Sequence, residues 1–175
     1  MPTNLSVRAP KPRGMSTSPR KMLLLAPSGS VRPGFFSDIR TCRDRFEDRK
    51  AEMQTLRGRI YLQDGAISPQ QLSHGRHAVP LDDDSWHLLI LDDKSRVCGC
   101  ARYREYSNPR FSDLTVAKSA LAHSPEWGTR MKSSIEGEIA LARRLRVPYV
   151  ELGGWALTEE VRGTSEALRM ALASL

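Results

Sequence analysis

The sequence predicts an α/β fold with an antiparallel portion, and three stretches predict it. The run "WHLLILDDKSRVCGCARYREY" (86–106) holds two strand-like stretches joined by four polar residues, the pattern of a β-hairpin. At 124–127, "SPEW" sets Ser124 as a cap, Pro125 at the first helical position and Glu126 near the positive end of a helix. The stretch "YVELGGWALTEEVRGTSEALRMALASL" (149–175) reads as a strand, a turn and a helix.

The first 34 residues hold six Lys/Arg, no acid and six of the eleven prolines. Apart from "MLLLA" at 22–26 they have few apolar residues, so the expectation is a disordered basic tail at 1–34. The net charge of +7 belongs to that tail, because the remainder carries 21 basic against 20 acidic residues. A nearly neutral domain at 35–175 argues against nucleic-acid reading, although a basic tail can bind polyanions weakly. No run of about 18 apolar residues exists to span a bilayer. Three cysteines without an export signal point to reduced thiols and a cytoplasmic setting.

A helix is expected where Phe36, Ile39, Cys42 and Phe46 recur at three- and four-residue steps. "RGRIYLQDGAI" (57–67) then continues that helix or forms a first strand closed by Asp64-Gly65, and periodicity does not separate the two. Residues 68–84 are polar and loop-like, with Asp82–Asp84 read as a solvated segment more readily than as a site. Trp86–Leu91 is a short apolar strand, and His87 within it reads as a core histidine. Along 97–104, Val97, Gly99, Ala101 and Tyr103 alternate with Cys98, Cys100, Arg102 and Arg104, which places the two cysteines on one face. They read as small core side chains in preference to metal ligands with His87 or His77, and no metal site is expected. "DLTVAKSALA" suggests a short helical piece. The helix headed by Ser124 should reach about Arg146 with Ile135, Ile139, Ala142 and Leu145 on its apolar stripe. Arg143, Arg144 and Arg146 complement its negative end.

The turn after the last strand holds the candidate site. Arg162, Gly163, Thr164, Ser165 and Ala167 follow Leu157 after four residues. Helix N-terminal amides suit a phosphate, Gly163 permits close backbone approach, and Ala167 permits tight packing on a sheet.

This spacing resembles the acyl-CoA signature of the GNAT acyltransferase superfamily, a hydrophobic strand residue, four residues, then R/Q-x-x-G-x-G/A. Leu157, Arg162 and Ala167 match, and Ser165 stands where the motif requires its glycine. "GCARY", "LDDDSWHLLIL" and "VELGGWAL" are similar to segments of the autoinducer synthases and the long-chain N-acyl amino acid synthases within that superfamily. The autoinducer synthases usually carry an arginine where this chain has Gly154, so the resemblance points to N-acyl transfer more broadly than to homoserine-lactone synthesis. It covers roughly 56–175. It implies a GNAT-like mixed sheet with flanking helices, and a domain at 35–175 whose C-terminal half is missing.

The resemblance also implies a chemistry. An acyl-CoA or acyl carrier protein thioester would lie along the strand near Trp155 and Leu157, its phosphates on residues 162–167, and a small-molecule amine would be acylated. Glu151 would act as the catalytic base, or else pair with Arg102 or Arg104 on the neighbouring strand. Arg102 would hold an acidic group of the substrate, or pair with an Asp. Gly153-Gly154 would mark a bulge that opens the cleft. With the neighbouring strand of the family absent, 149–157 would be an apolar edge prone to self-association. The rival expectations are an inactive remnant or protein-interaction domain, and a nucleic-acid-associated protein acting through its tail.

Overall fold

The computed structural model describes residues 20–27, 40–41 and 45–173. Its strands are β1 (Lys21–Leu25), β2 (Arg40–Thr41), β3 (Trp86–Leu91), β4 (Val97–Tyr106) and β5 (Tyr149–Leu157), and its α-helices are α1 (Phe46–Gln63), α2 (Gly128–Leu145) and α3 (Ser165–Leu172). The strands form one mixed sheet in the order β2-β1-β3-β4-β5, parallel between β1 and β2 and antiparallel elsewhere. The α/β class with a mixed sheet and flanking helices is therefore as the sequence predicts.

The sheet buries both faces. On one, α3 packs Met170, with Val161 and Ala167, against Met22, Leu24, Leu88, Ile90, Ala101 and Tyr103. On the other, α1 sets Met53, Leu56 and Ile60 against Leu23, Leu25, Leu89, Cys100 and Ala156. A strand covered on both sides must be apolar throughout, and "MLLL" within β1 is.

Three expectations change and one open alternative closes. Lys21–Leu25 is no part of a disordered tail: it pairs residue for residue with β3, because a run buried on both faces gains more from the sheet than from water. The rest of 1–34, apart from residues 20–27, lies outside the described residues, as do Phe36, Ile39 and Cys42. Arg40–Thr41 forms a strand against β1, so no helix runs unbroken from 36 to 46. Residues 57–63 belong to α1, which ends at Asp64 as Gly65 takes φ +68°. Finally, Cys98 and Cys100 face opposite ways. The β3–β4 register shifts at Ile90/Leu91, so Cys98 joins the α3-side core while Cys100 stays under α1.

The 111–118 segment forms two 3-10 turns in place of a helix. At 124, the Ser124 hydroxyl accepts from the Trp127 amide at 3.2 Å and its carbonyl from Gly128 at 2.8 Å, so the capping turn precedes the regular helix. Of the α2 residues only Gly128 and Ile139 are buried, which leaves most of the expected stripe in contact with solvent.

Candidate functional site

β5 positions most of the expected site residues. It pairs with β4 along one edge and is the last strand of the sheet among the described residues. Between Cys100↔Ala156 and Arg102↔Gly153 the register slips, and Gly154 takes φ +61°, the bulge expected at the glycine pair. A side chain at Gly154 would stand 2.9 Å from Arg102 Cβ and 3.4 Å from Arg57 Nη1. One at Gly153 would stand 3.4 Å from Arg102 Nη2. The glycines thus let β5 pass directly over two guanidinium groups.

Those groups belong to a buried cluster that sequence reasoning largely missed. Asp82, 1% exposed, accepts from Arg57 Nη1 at 2.9 Å and Nη2 at 2.5 Å, from Gln54 Nε2 at 3.0 Å, and from the Val79 amide at 3.2 Å. Arg57 also donates to the His77 carbonyl. Arg102 lies 3.6 Å from Asp82 Oδ1, and its side chain makes no hydrogen bond among the described residues. Burial favours a neutral Asp82, but the hydrogen bonds and charge of Arg57, with Gln54 and Val79, outweigh it and hold the carboxyl below its ordinary value. Asp82 is therefore no solvated loop residue. A charge at an inward position of α1, Arg57 beside Leu56 and one turn from Met53, was the available signal.

His87 is a core histidine, fully buried, and its Nε2 donates to the Asp82 carbonyl at 2.8 Å. Its Nδ1 has no partner among the described residues. Burial lowers its pKa, and does the same at His77. The Cys100 thiol, donating to the Gly154 carbonyl, is pushed up to about 12 by burial. Among the described residues no group of three His, Cys, Asp or Glu is placed to hold a metal ion. No helix there is long and apolar enough to cross a membrane.

Glu151 pairs with neither Arg102 nor Arg104. Its Oε2 accepts from the Tyr106 hydroxyl and the Thr115 amide, both at 3.0 Å, and its Oε1 accepts from the Val116 amide at 2.7 Å. Burial, followed by the Glu151 charge, raises the Tyr106 pKa.

At the far end of β5, Trp155 is partly exposed while Leu157 is buried in the α3-side core. Arg162 donates from Nε to the Leu157 carbonyl at 3.1 Å and from both terminal nitrogens to Asp64, at 3.2 and 2.6 Å. Gly163 takes φ +71° with open space around its Cβ position. Thr164 caps α3, its hydroxyl accepting from the Glu166 amide at 3.2 Å. Ser165 opens the helix and Ala167 packs on the core. The amides of Arg162, Thr164, Glu166 and Ala167 are all bonded within the turn.

No family model matches this chain. No curated protein matches it. Among solved structures, one titled the crystal structure of the AHL synthase LasI is similar at 18% identity, with a TM-score of 0.44, over 73% of this chain and 57% of that one.

Proposed function

We propose that this chain is N-acyltransferase-like, moving an acyl group from a CoA or acyl carrier protein thioester to an amine. The observation that carries the reading is the edge of β5 that no strand pairs among the described residues, with β5 leading through the Gly163 turn into the N-terminus of α3. An extended pantetheine arm can add to that edge as a strand would, with its phosphates toward residues 162–167. A β5 amide near Trp155 would polarise the thioester carbonyl. The amine nitrogen attacks that carbon, the C–N bond forms, the C–S bond breaks, and the thiolate leaves. The amine's proton passes to Glu151, directly or through water, which requires that carboxylate to give up one of its three bonds. Arg102, behind Gly153 and with no side-chain hydrogen bond among the described residues, would take an acidic group of the acceptor.

A second reading, an inactive or protein-interaction domain, is favoured by Arg162 being held by Asp64 and by the amides already bonded in the turn. Titration calorimetry with CoA separates the two. The acyl-transfer reading expects binding that Gly163→Val weakens by tenfold or more and Gly163→Asn largely keeps, because Asn tolerates a positive φ. No heat of binding, or equal affinity in a folded Gly163→Val protein, favours the second.

A further inference from the structure

We infer that Glu151 is the latch of a strap formed by residues 107–127, which it fastens across the Tyr149–Glu151 end of β5. The strap leaves β4 at Ser107 and returns to α2 at Gly128. It holds no α-helix and no strand, only 3-10 turns at 111–113 and 115–118 and further turns at 120–123 and 125–127. Its backbone bonds close short local turns, such as Asp113 to Arg110, Ala117 to Leu114 and Ser124 to Leu121, so its position against the sheet depends on anchors from outside.

Three anchors hold it. Arg143 of α2 donates to Asn108 Oδ1 and, at 2.6 Å, to the Pro109 carbonyl. Leu114 is a buried plug, 1% exposed. Glu151 supplies the third, and it alone ties the strap to the sheet through charge. Its two oxygens take the Thr115 and Val116 amides, and the Tyr106 hydroxyl fixes the carboxylate at the point where β4 ends. A carboxylate accepting two successive main-chain amides at the start of a 3-10 turn is a strong contact, because the acceptor is ionised and the donors are otherwise without intrahelical partners. Arg104, opposite Glu151 in the register, instead lies over the Tyr106 ring, 5.1 Å from its centroid. Glu151 is thus committed to the strap although a cation stands on the adjacent strand. Beyond Val116 the strap has only local bonds, such as Ala122 to Ser119 and Trp127 to Ser124. Releasing the latch therefore loosens the segment from Val116 onward up to α2, while Arg143 and the Tyr106–Thr115 side-chain contact retain its first residues.

The latch is independent of the acyl-transfer reading, and amide hydrogen exchange on the full chain tests it without any substrate. In Glu151→Gln, the Thr115 and Val116 amides should exchange roughly tenfold faster or more, with β3 and β4 protection unchanged. Unaltered exchange at both amides overturns the inference, and so does an equal rise in β3, which signals loss of the whole fold. Thr115→Pro is the second variant. It deletes one donor at a first-turn position, and the preceding Leu114 already has φ −82° and ψ 149°, as a residue before proline requires. Faster Val116 exchange over an unchanged β3 supports the latch, and unchanged Val116 protection overturns it. Absence of CoA binding would remove the acyl-transfer reading and leave this result as it stands.

Discussion

Asp82 shows how one buried charge organises a region. It receives four hydrogen bonds and a more distant arginine, from α1, the 77–82 loop and β4. Removing one partner of a buried ion pair costs about 3–5 kcal/mol, because the other is left uncompensated. Asp82→Ala should lose that much, measured by urea unfolding followed through the fluorescence of buried Trp86. The pH dependence follows from the signs. Asp82 is held below its ordinary 3.8, so its contribution is full above that value and is lost as pH falls through the lower folded pKa. His87 and His77 are held below 6.5 by burial and must take up a proton on unfolding, so stability also declines as pH drops below 6.5. Unfolding free energy from pH 8 down to pH 3 should therefore fall in two stages, and Asp82→Asn should flatten only the lower one. The sequence marks Arg102, with an Asp as one expected partner, and Glu151, but neither which Asp it is nor the groups that hold Glu151. Those partners lie 20 to 45 positions away, at Asp82, Tyr106, Thr115 and Val116, and contacts of that range are set by chain paths that no local pattern encodes.

The elements were legible where a local signal was strong. The 86–106 hairpin, the capped helix after Ser124 and the strand-turn-helix from Tyr149 each carry turn or cap residues at fixed offsets. β1 carries no such signal, because five residues inside a proline-rich stretch resemble a tail until a sheet covers them on both sides. The Cys98 bulge was not read either, since small residues on both parities fit either register. The Gly154 bulge was read, and its geometry gives a sharp expectation. Alanine there meets both a φ of +61° and a contact of 2.9 Å with Arg102 Cβ. Gly154→Ala should cost about 2–4 kcal/mol, from left-handed strain together with overpacking. Gly65 has φ +68° but open space around it, so Gly65→Ala isolates the backbone part and should cost about 1 kcal/mol. Equal losses at the two sites in urea unfolding would show that Arg102 yields freely and that the glycine pair does not hold β5 against the guanidinium cluster.

At the scale of the molecule, apolar burial is unevenly spread. β1, β3 and the first half of β4 are covered on both faces, but β5 is not. Its edge, unpaired among the described residues, carries Val150 at 42% exposed, Leu152 at 50% and Trp155 at 39%. Leu152 stands opposite Tyr103 and Val150 opposite Glu105, on the face where α3 packs. α3 carries two further exposed leucines, Leu168 and Leu172, each 61% exposed, on the side away from its buried Ala167–Met170–Ala173 stripe. Single exposed leucines are ordinary, whereas several on one strand whose backbone edge is also open make a template for another strand. Neither lysine nor proline interrupts Tyr149–Leu157, and Glu151, its one charge, is turned to the strap. The edge therefore lacks the usual guards against pairing, and the chain is expected to self-associate through it. Light scattering over a concentration series should show mass rising with concentration. Leu152→Lys should suppress the rise, because a charge at the centre of the edge would be desolvated in any paired sheet. The same change at Leu145, 60% exposed on α2, should leave association as it was. A mass fixed at one chain for the unmodified protein would mean that the bulge and twist at Gly154 already protect the edge. Suppression by both variants alike would place the contact on general surface hydrophobicity and not on β5.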